Sequence, residues 1–396
     1  MSVFDALVGQ ARAVAQLQAA ADDARRIVEA GGPAVAPGRG AMTHAWLFTG
    51  PPGSGRSVAA RAFAAALQCP SGGCGHCRDC LQALGGTHAD VAQVETEGLH
   101  IKIAVAREIV ARASRAPVAG RWQVTLVEDA DRMEERTSNT VLKVVEEPPP
   151  HSVLLLCAPT ADDLLPTIRS RCRLVPLGTP SARAVTDLLV SEGVDEAMAA
   201  FAAKAAQGHI GRARRLATDE QARRERADAL RLPRSLQSVG TALGAAADLV
   251  DAAKDESSRL TTTRDAEERS ALETALGVGA TGKGMTGRTP RGGAGMLKDL
   301  EQAQKSRGTR TQRDALDRAL VDLAAFYRDV LVVQLGAGTP PVHPDLAEHA
   351  ATLARSTEPA STLRRIDAVL ACREAVDANV NPLLAVEAMA LALRTG

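Results

Sequence analysis

The sequence predicts an α/β fold built on a parallel sheet in its first half, joined to an all-α second half. Three observations lead there. A strand, glycine-rich loop and helix follow one another between Ala45 and Leu67, apolar runs then alternate with helix-period segments as far as Leu177, and from Pro180 onward the pattern is helical alone. Strands that alternate with helices imply parallel pairing with both faces of the sheet covered.

Residues 1 to 30 carry an Ala-rich helical pattern through Gln10, Val14, Leu17, Ala21 and Ile27, and Gly31 to Gly40 reads as a loop. Ala45 to Phe48 is an apolar run that reads as a buried strand. The segment Gly50-Pro-Pro-Gly53-Ser-Gly55-Arg56-Ser57 follows it and opens into a helix-period stretch from Val58 to Leu67. This is the G-x-x-x-x-G-K-[ST] spacing with Arg56 in the lysine position. Gly50, Gly53 and Gly55 let backbone N–H groups converge on phosphate oxygens, and the Ser57 hydroxyl stands where a magnesium ligand is needed. A lysine would enter between the phosphates as a compact point charge. The wider planar guanidinium of Arg56 is no direct replacement, so hydrolysis is expected to be impaired and nucleotide occupancy is in question.

Next comes Cys69-x4-Cys74-x2-Cys77-x2-Cys80. Four thiolates at this spacing close around one tetrahedral zinc ion with no open position, which implies a structural role; an iron–sulfur cluster and unliganded thiols are the alternatives. His76 lies inside the knuckle as a spectator. Ile103 to Ala116 reads as a helix displaying Arg107, Arg112 and Arg115, either a solvated face or a phosphate-contacting one. Trp122 to Val127 reads as a buried strand that ends in Glu128-Asp129-Ala-Asp131. Carboxylates at the carboxyl end of a core strand, opposite a phosphate loop, are placed to hold magnesium and to polarise water. A helix from Asn139 to Glu147 stops at Pro148-Pro-Pro150, Ser152 to Cys157 is a further strand, and Arg169-Ser-Arg171-Cys172-Arg173 precedes a short strand through Val175 to Leu177. Arg171 is exposed by pattern; a solvated loop and a side chain projecting away from its own site are both open.

Lys plus Arg and Asp plus Glu are each 47, so net charge gives no sign of a nucleic-acid binder. No apolar run approaches a membrane span, and the start has no basic segment followed by an apolar core. A cytoplasmic location is expected, where thiols stay reduced and clustered cysteines point to metal before disulfides.

Taken together, Val8-Gly-Gln10, His44-Ala-Trp-Leu-Phe-Thr-Gly50-Pro-Pro-Gly53, the four-cysteine insertion, Leu142-Lys-Val-Val-Glu-Glu147-Pro-Pro and Ile168-Arg-Ser170-Arg171-Cys172 resemble the AAA+ subunits of bacterial clamp loaders. The resemblance covers about the first 230 residues. Within the family it is closer to the delta prime type of DNA polymerase III than to the ATP-hydrolysing tau/gamma type. Arg56 replaces the lysine, and Glu128-Asp129 inverts the expected Asp-Glu pair.

The resemblance implies an AAA+ core over residues 1–179 with a zinc module at about 69–80. A helical lid over 180–233 and a helical collar over 234–396 would follow, the collar carrying a flexible Gly-rich insertion at about 277–310. It implies that Arg171 is an arginine finger acting in trans on a neighbouring subunit, and that Glu128 and Asp129 are a degenerate metal- and water-holding pair. Val8 and Gln10 would form an adenine-side strip, Arg212 a second sensor, and Cys69, Cys74, Cys77 and Cys80 the zinc ligands. ATP or ADP with Mg²⁺ is the implied but doubtful ligand. The implied partners are tau/gamma and delta subunits in a hetero-pentamer, the sliding clamp, and primer-template DNA reached through the complex. Two rival functions are a self-sufficient AAA+ ATPase of the tau/gamma type and a DNA-binding module that uses the knuckle with Arg107, Arg112 and Arg115.

Overall fold

The computed structural model describes residues 2–31, 40–94, 100–276 and 293–396 of the chain. Two compact units result, Met1–Thr218 and Asp219–Gly396.

Among the described residues the first unit contains five strands: β1 (Ala45–Thr49), β2 (Val91–Val94), β3 (Gln123–Val127), β4 (Ser152–Ala158) and β5 (Arg173–Pro176). They form one sheet in the order β2-β3-β4-β1-β5, and every pairing is parallel. β4 thus lies between the strand that leads into the phosphate loop and the strand that ends in Glu128. The first nine helices also belong here: α1 (Ala11–Glu29), α2 (Arg56–Gln68), α3 (Arg78–Leu84), α4 (Ile103–Ala113), α5 (Glu135–Glu146), α6 (Pro166–Arg169), α7 (Ala182–Ser191), α8 (Glu196–Ala205) and α9 (Ile210–Thr218).

Alternate residues of the central strands feed two separate cores. Trp46, Phe48, Val124, Leu126, Val153 and Leu155 pack with α1 and α2, whereas Leu47, Val127, Leu154 and Leu156 pack with α4 and α5. Burial on both faces is why β1 and β4 read as nearly continuous apolar runs, while β3 buries Gln123 and Thr125 along with its apolar residues. β2 escaped the sequence reading because it is a four-residue edge strand with only half of its residues buried. The helix expected to reach Ala116 ends at Ala113, since Pro117 lies just ahead and the preceding residue is steered away from helical angles.

The second unit is helical: α10 (Glu220–Ala229), α11 (Val239–Ala275), α12 (Gly293–Gln334), α13 (Ala347–Ser356), α14 (Pro359–Asp377) and α15 (Pro382–Thr395). Its core joins Leu316, Leu320, Leu323 and Phe326 of α12 to Val369 and Val376 of α14 and to Val386, Met389 and Leu393 of α15. The loop expected at Gly31 to Gly40 lies, but for its two end residues, outside the described residues, as does the Gly-rich stretch from 277 to 292. From Gly293 the chain is already helical, so residues 293–310 are not part of a flexible insertion. Polar pairs explain the difference: Glu301 meets Arg269 at 3.3 Å, Gln304 donates to the Asp265 carbonyl at 2.8 Å, and Arg307 meets Glu268 at 2.7 Å. This start of α12 is therefore held on α11 by charge and hydrogen bonds, a signal that hydrophobic periodicity does not carry.

Candidate functional site

The phosphate loop emerges from β1, where Gly50 N–H donates to the Pro159 carbonyl at 3.0 Å. Gly53 (φ +84°) and Gly55 (φ +90°) turn through left-handed backbone that side chains resist, and Gly55 delivers the chain into α2. No side chain caps α2, so the N–H groups of its first turn remain for an anion. Arg56 Nη1 and Ser54 Oγ are both buried with no hydrogen-bond partner. Buried polar atoms left in that condition are costly, and a phosphate group supplies the acceptor a guanidinium lacks.

The acidic side of the site is drawn together by the sheet. Glu128 ends β3, but its Oε1 already accepts from Gln93 Nε2 at 2.8 Å, and Arg61 of α2 stands 4.0 Å away. Asp129 occupies the left-handed region (φ +53°) and faces Arg132 at 3.9 Å. Asp131, noted in the sequence without a role, has a buried Oδ1 with no partner; burial and then Asp129 raise its carboxyl above the usual range. Cys157 of β4 marks the centre of this group. Burial pushes its thiol up, and the charges acting on it are those of Glu128, Arg56, Asp129 and Arg61. Gln93 and Arg61 were missed because the first sits on the overlooked β2 and the second on a helix face whose neighbour only the fold determines.

Gln10 is buried at the margin of the loop. Its Nε2 donates to the Gly178 carbonyl at 2.7 Å and the Ser54 carbonyl at 3.4 Å, and its Oε1 accepts from Gly178 N–H at 3.1 Å. One amide thus pins the N-terminal segment, the phosphate loop and the chain beyond β5; Val8 beside it is half-buried. The turn between α8 and α9 rests on the loop as well. A Cβ on Gly53 would lie 2.5 Å from His209 Cα. Arg212, half-buried in α9, donates its N–H to His209 Nδ1 at 3.2 Å. His209 gave no sequence signal, since its approach to Gly53 joins segments far apart in the chain.

Cys69 closes α2, Cys77 caps α3 and Cys80 lies in its first turn. The sulfurs of Cys69, Cys74, Cys77 and Cys80 all lie within 4.8 Å of one another, with Cys69 and Cys77 at 3.8 Å. Tetrahedral zinc with bonds near 2.3 Å needs sulfurs about 3.8 Å apart. The four side chains therefore fit such an ion. Backbone N–H groups of Cys74, Cys77 and Cys80 point at the sulfurs of Cys69, Cys74 and Cys77, each at 3.4 Å. N–H groups of His76 and Cys77 hold the Cys74 thiol down to about 6, whereas burial pushes those of Cys77 and Cys80 up. A cation among them would let all four exist as thiolates. The His76 ring is exposed, and its Nδ1 bonds the Cys74 carbonyl at 2.9 Å.

Arg171 follows α6 and is exposed. Its Nη2 meets Glu146 Oε1 at 3.1 Å, while Nη1 donates to the Thr167 carbonyl at 2.9 Å and to Ser170 Oγ at 3.3 Å. These partners belong to α5 and α6, not to the phosphate loop. On α4, Arg112 is paired with Glu108 at 2.6 Å and Arg107 is exposed, as is Arg115 beyond the helix end. No described helix is long and apolar enough to cross a membrane.

Residues 36–181 match the family described as DNA polymerase III, delta subunit. The chain is 35% identical over 165 residues to DNA polymerase III subunit delta′ of Pseudomonas aeruginosa, covering 40% of this chain and 50% of that one. It is 32% identical over 191 residues to DNA polymerase III subunit gamma/tau of Mycobacterium tuberculosis, covering 47% of this chain and 30% of that one. The matches thus span half or less of these relatives. Among solved structures, a DNA polymerase III gamma subunit-related protein of Thermotoga maritima aligns over 95% of this chain and 99% of that one, at 15% identity and a TM-score of 0.39. Over less than half of its length, then, this chain is similar to the delta′ and gamma/tau subunits of DNA polymerase III, and the matched part holds the parallel sheet, the phosphate loop and the four-cysteine insertion.

Proposed function

We propose that this chain is a delta prime subunit of the DNA polymerase III clamp loader, helping to place the sliding clamp on primed DNA. Its own nucleotide site would be weak or silent, while Arg171 completes the site of a neighbouring tau/gamma subunit. The observation that carries this reading is the condition of the chain's own site. Arg56 replaces the lysine, and the Glu128 carboxylate that should hold a metal is engaged by Gln93 at 2.8 Å. A shorter Asp129 in the water-polarising position has less reach. Arg171, by contrast, is exposed, and its partners are Glu146, Thr167 and Ser170. A guanidinium set against a transferring phosphoryl group is worth about 10³–10⁵ in rate in comparable systems.

In this reading residues 180–233 form the lid, with Arg212 as its sensor, and residues 234–396 form the collar that joins a five-subunit ring. Val8 and Gln10 line the adenine side, Ser57 with Gly50, Gly53 and Gly55 cradles any ATP or ADP with Mg²⁺, and zinc closes the knuckle at Cys69, Cys74, Cys77 and Cys80. The complex would work in the cytoplasm.

The test is ATP hydrolysis by the purified chain, alone and then mixed with tau/gamma, delta, clamp and primed DNA. Silence alone and a rise on assembly that Arg171→Ala lowers, with the complex still intact, is the expected result. The gamma/tau relatives match at comparable identity, which keeps a self-sufficient ATPase as the second reading. Turnover by the lone chain that disappears in Ser57→Ala would put it in place of ours.

A further inference from the structure

We infer that Glu146 is the positioning residue of Arg171, holding its guanidinium ready for a neighbouring subunit's phosphate; this rests on the reading of Arg171 as a finger in trans. The motif Arg169-Ser-Arg171 contains two arginines, and they are not equivalent. Arg169 is tied to Asp162 on its own loop. Arg171 is held by two hydrogen bonds, from Nη1 to the Thr167 carbonyl at 2.9 Å and to Ser170 Oγ at 3.3 Å, and by an ion pair of Nη2 with Glu146 Oε1 at 3.1 Å. A guanidinium carries five N–H donors. The two hydrogen bonds use those of Nη1, so the donors of Nε and Nη2 remain for an incoming oxyanion.

The carboxylate is presented from a firm base. Glu146 ends α5, whose Val141, Val144 and Val145 are buried, and His44 Nε2 bonds the Val145 carbonyl at 2.9 Å. Its place there runs against local electrostatics, because a helix C-terminus carries partial negative charge and disfavours a carboxylate. A residue that breaks a local rule calls for a compensating partner, and the cation of Arg171 is that partner. Both side chains are 43% exposed, so the pair contributes little to folding and acts on orientation instead. Without it, a side chain with four rotatable bonds spreads over many rotamers.

The experiment uses the full chain assembled with tau/gamma, delta, clamp and primed DNA. Glu146→Ala is expected to lower kcat for ATP roughly threefold to tenfold, with KM, assembly and melting temperature unchanged. Glu146→Gln, which keeps the acceptor oxygen, should recover most of the loss, and Glu146→Ala added to Arg171→Ala should do no further harm. Turnover in Glu146→Ala equal to or above that of the unsubstituted complex, or Glu146→Gln no better than Glu146→Ala, overturns the positioning role even where Arg171→Ala remains damaging. Arg171→Ala without effect would instead remove the finger reading and this one with it.

Discussion

Replacing Gly53 by Ala tests whether the α8–α9 turn is seated on the phosphate loop. The added Cβ would lie 2.5 Å from both Cα and Cβ of His209 and closer still to its Cγ, at a backbone φ of +84°. The left-handed backbone alone costs about 1–2 kcal/mol for a residue with a side chain. Moving the packed turn adds about 1–3 kcal/mol, the usual range for overpacking. Gly55 supplies the control: its φ is +90°, but a Cβ there meets nothing within 4 Å. Gly55→Ala should therefore show the backbone cost alone, and Gly53→Ala the sum. At about 2–4 °C per kcal/mol for a unit of this size, Gly53→Ala should melt roughly 4 to 20 °C lower, clearly below Gly55→Ala. Thermal unfolding and amide exchange read both effects, with the amides of His209 and Ala213 losing protection in Gly53→Ala. Adding His209→Gly removes two of the three clashing atoms and should restore part of the loss. Equal melting of Gly53→Ala and Gly55→Ala would refute the argument.

The remaining predictions concern the cysteines and the helical unit. One zinc per chain should copurify and be lost in Cys77→Ser, with a lower melting temperature; metal analysis that finds none bound to the unsubstituted, reduced chain would remove the zinc assignment. In the second unit, Arg307 holds the Glu268 carboxyl down to about 2 through bonds of 3.0 and 2.7 Å. A depressed carboxyl contributes its stability in full above the unfolded-state value and loses it as pH falls toward 2. The side chain is 28% exposed, so about 1–2 kcal/mol is at stake after solvent screening. Urea unfolding should weaken between about pH 5 and pH 2 and do so less steeply in Arg307→Ala; identical slopes would refute the pairing.

Much of the first unit was legible because its signals are local. β1 and β4 are buried on both faces and show as nearly unbroken apolar runs, and the phosphate loop, the cysteine spacing and the Arg169-Ser-Arg-Cys172 stretch are contiguous motifs. Sequence alone also marked Arg56 as a departure, because a lysine position is defined by spacing. What required the tertiary structure was every relation between segments far apart in the chain. Gln93 reaches Glu128 only because β2 pairs with β3, Gln10 binds Gly178 across 168 positions, and the backbone of His209 lies on Gly53 only because α8 and α9 fold back onto the loop. The start of α12 was misread for the same reason, since charge pairs with α11 rather than an apolar stripe hold it in place. Periodicity and spacing record what a segment buries or turns through, whereas the partner of a polar side chain is decided by the topology that brings two segments together.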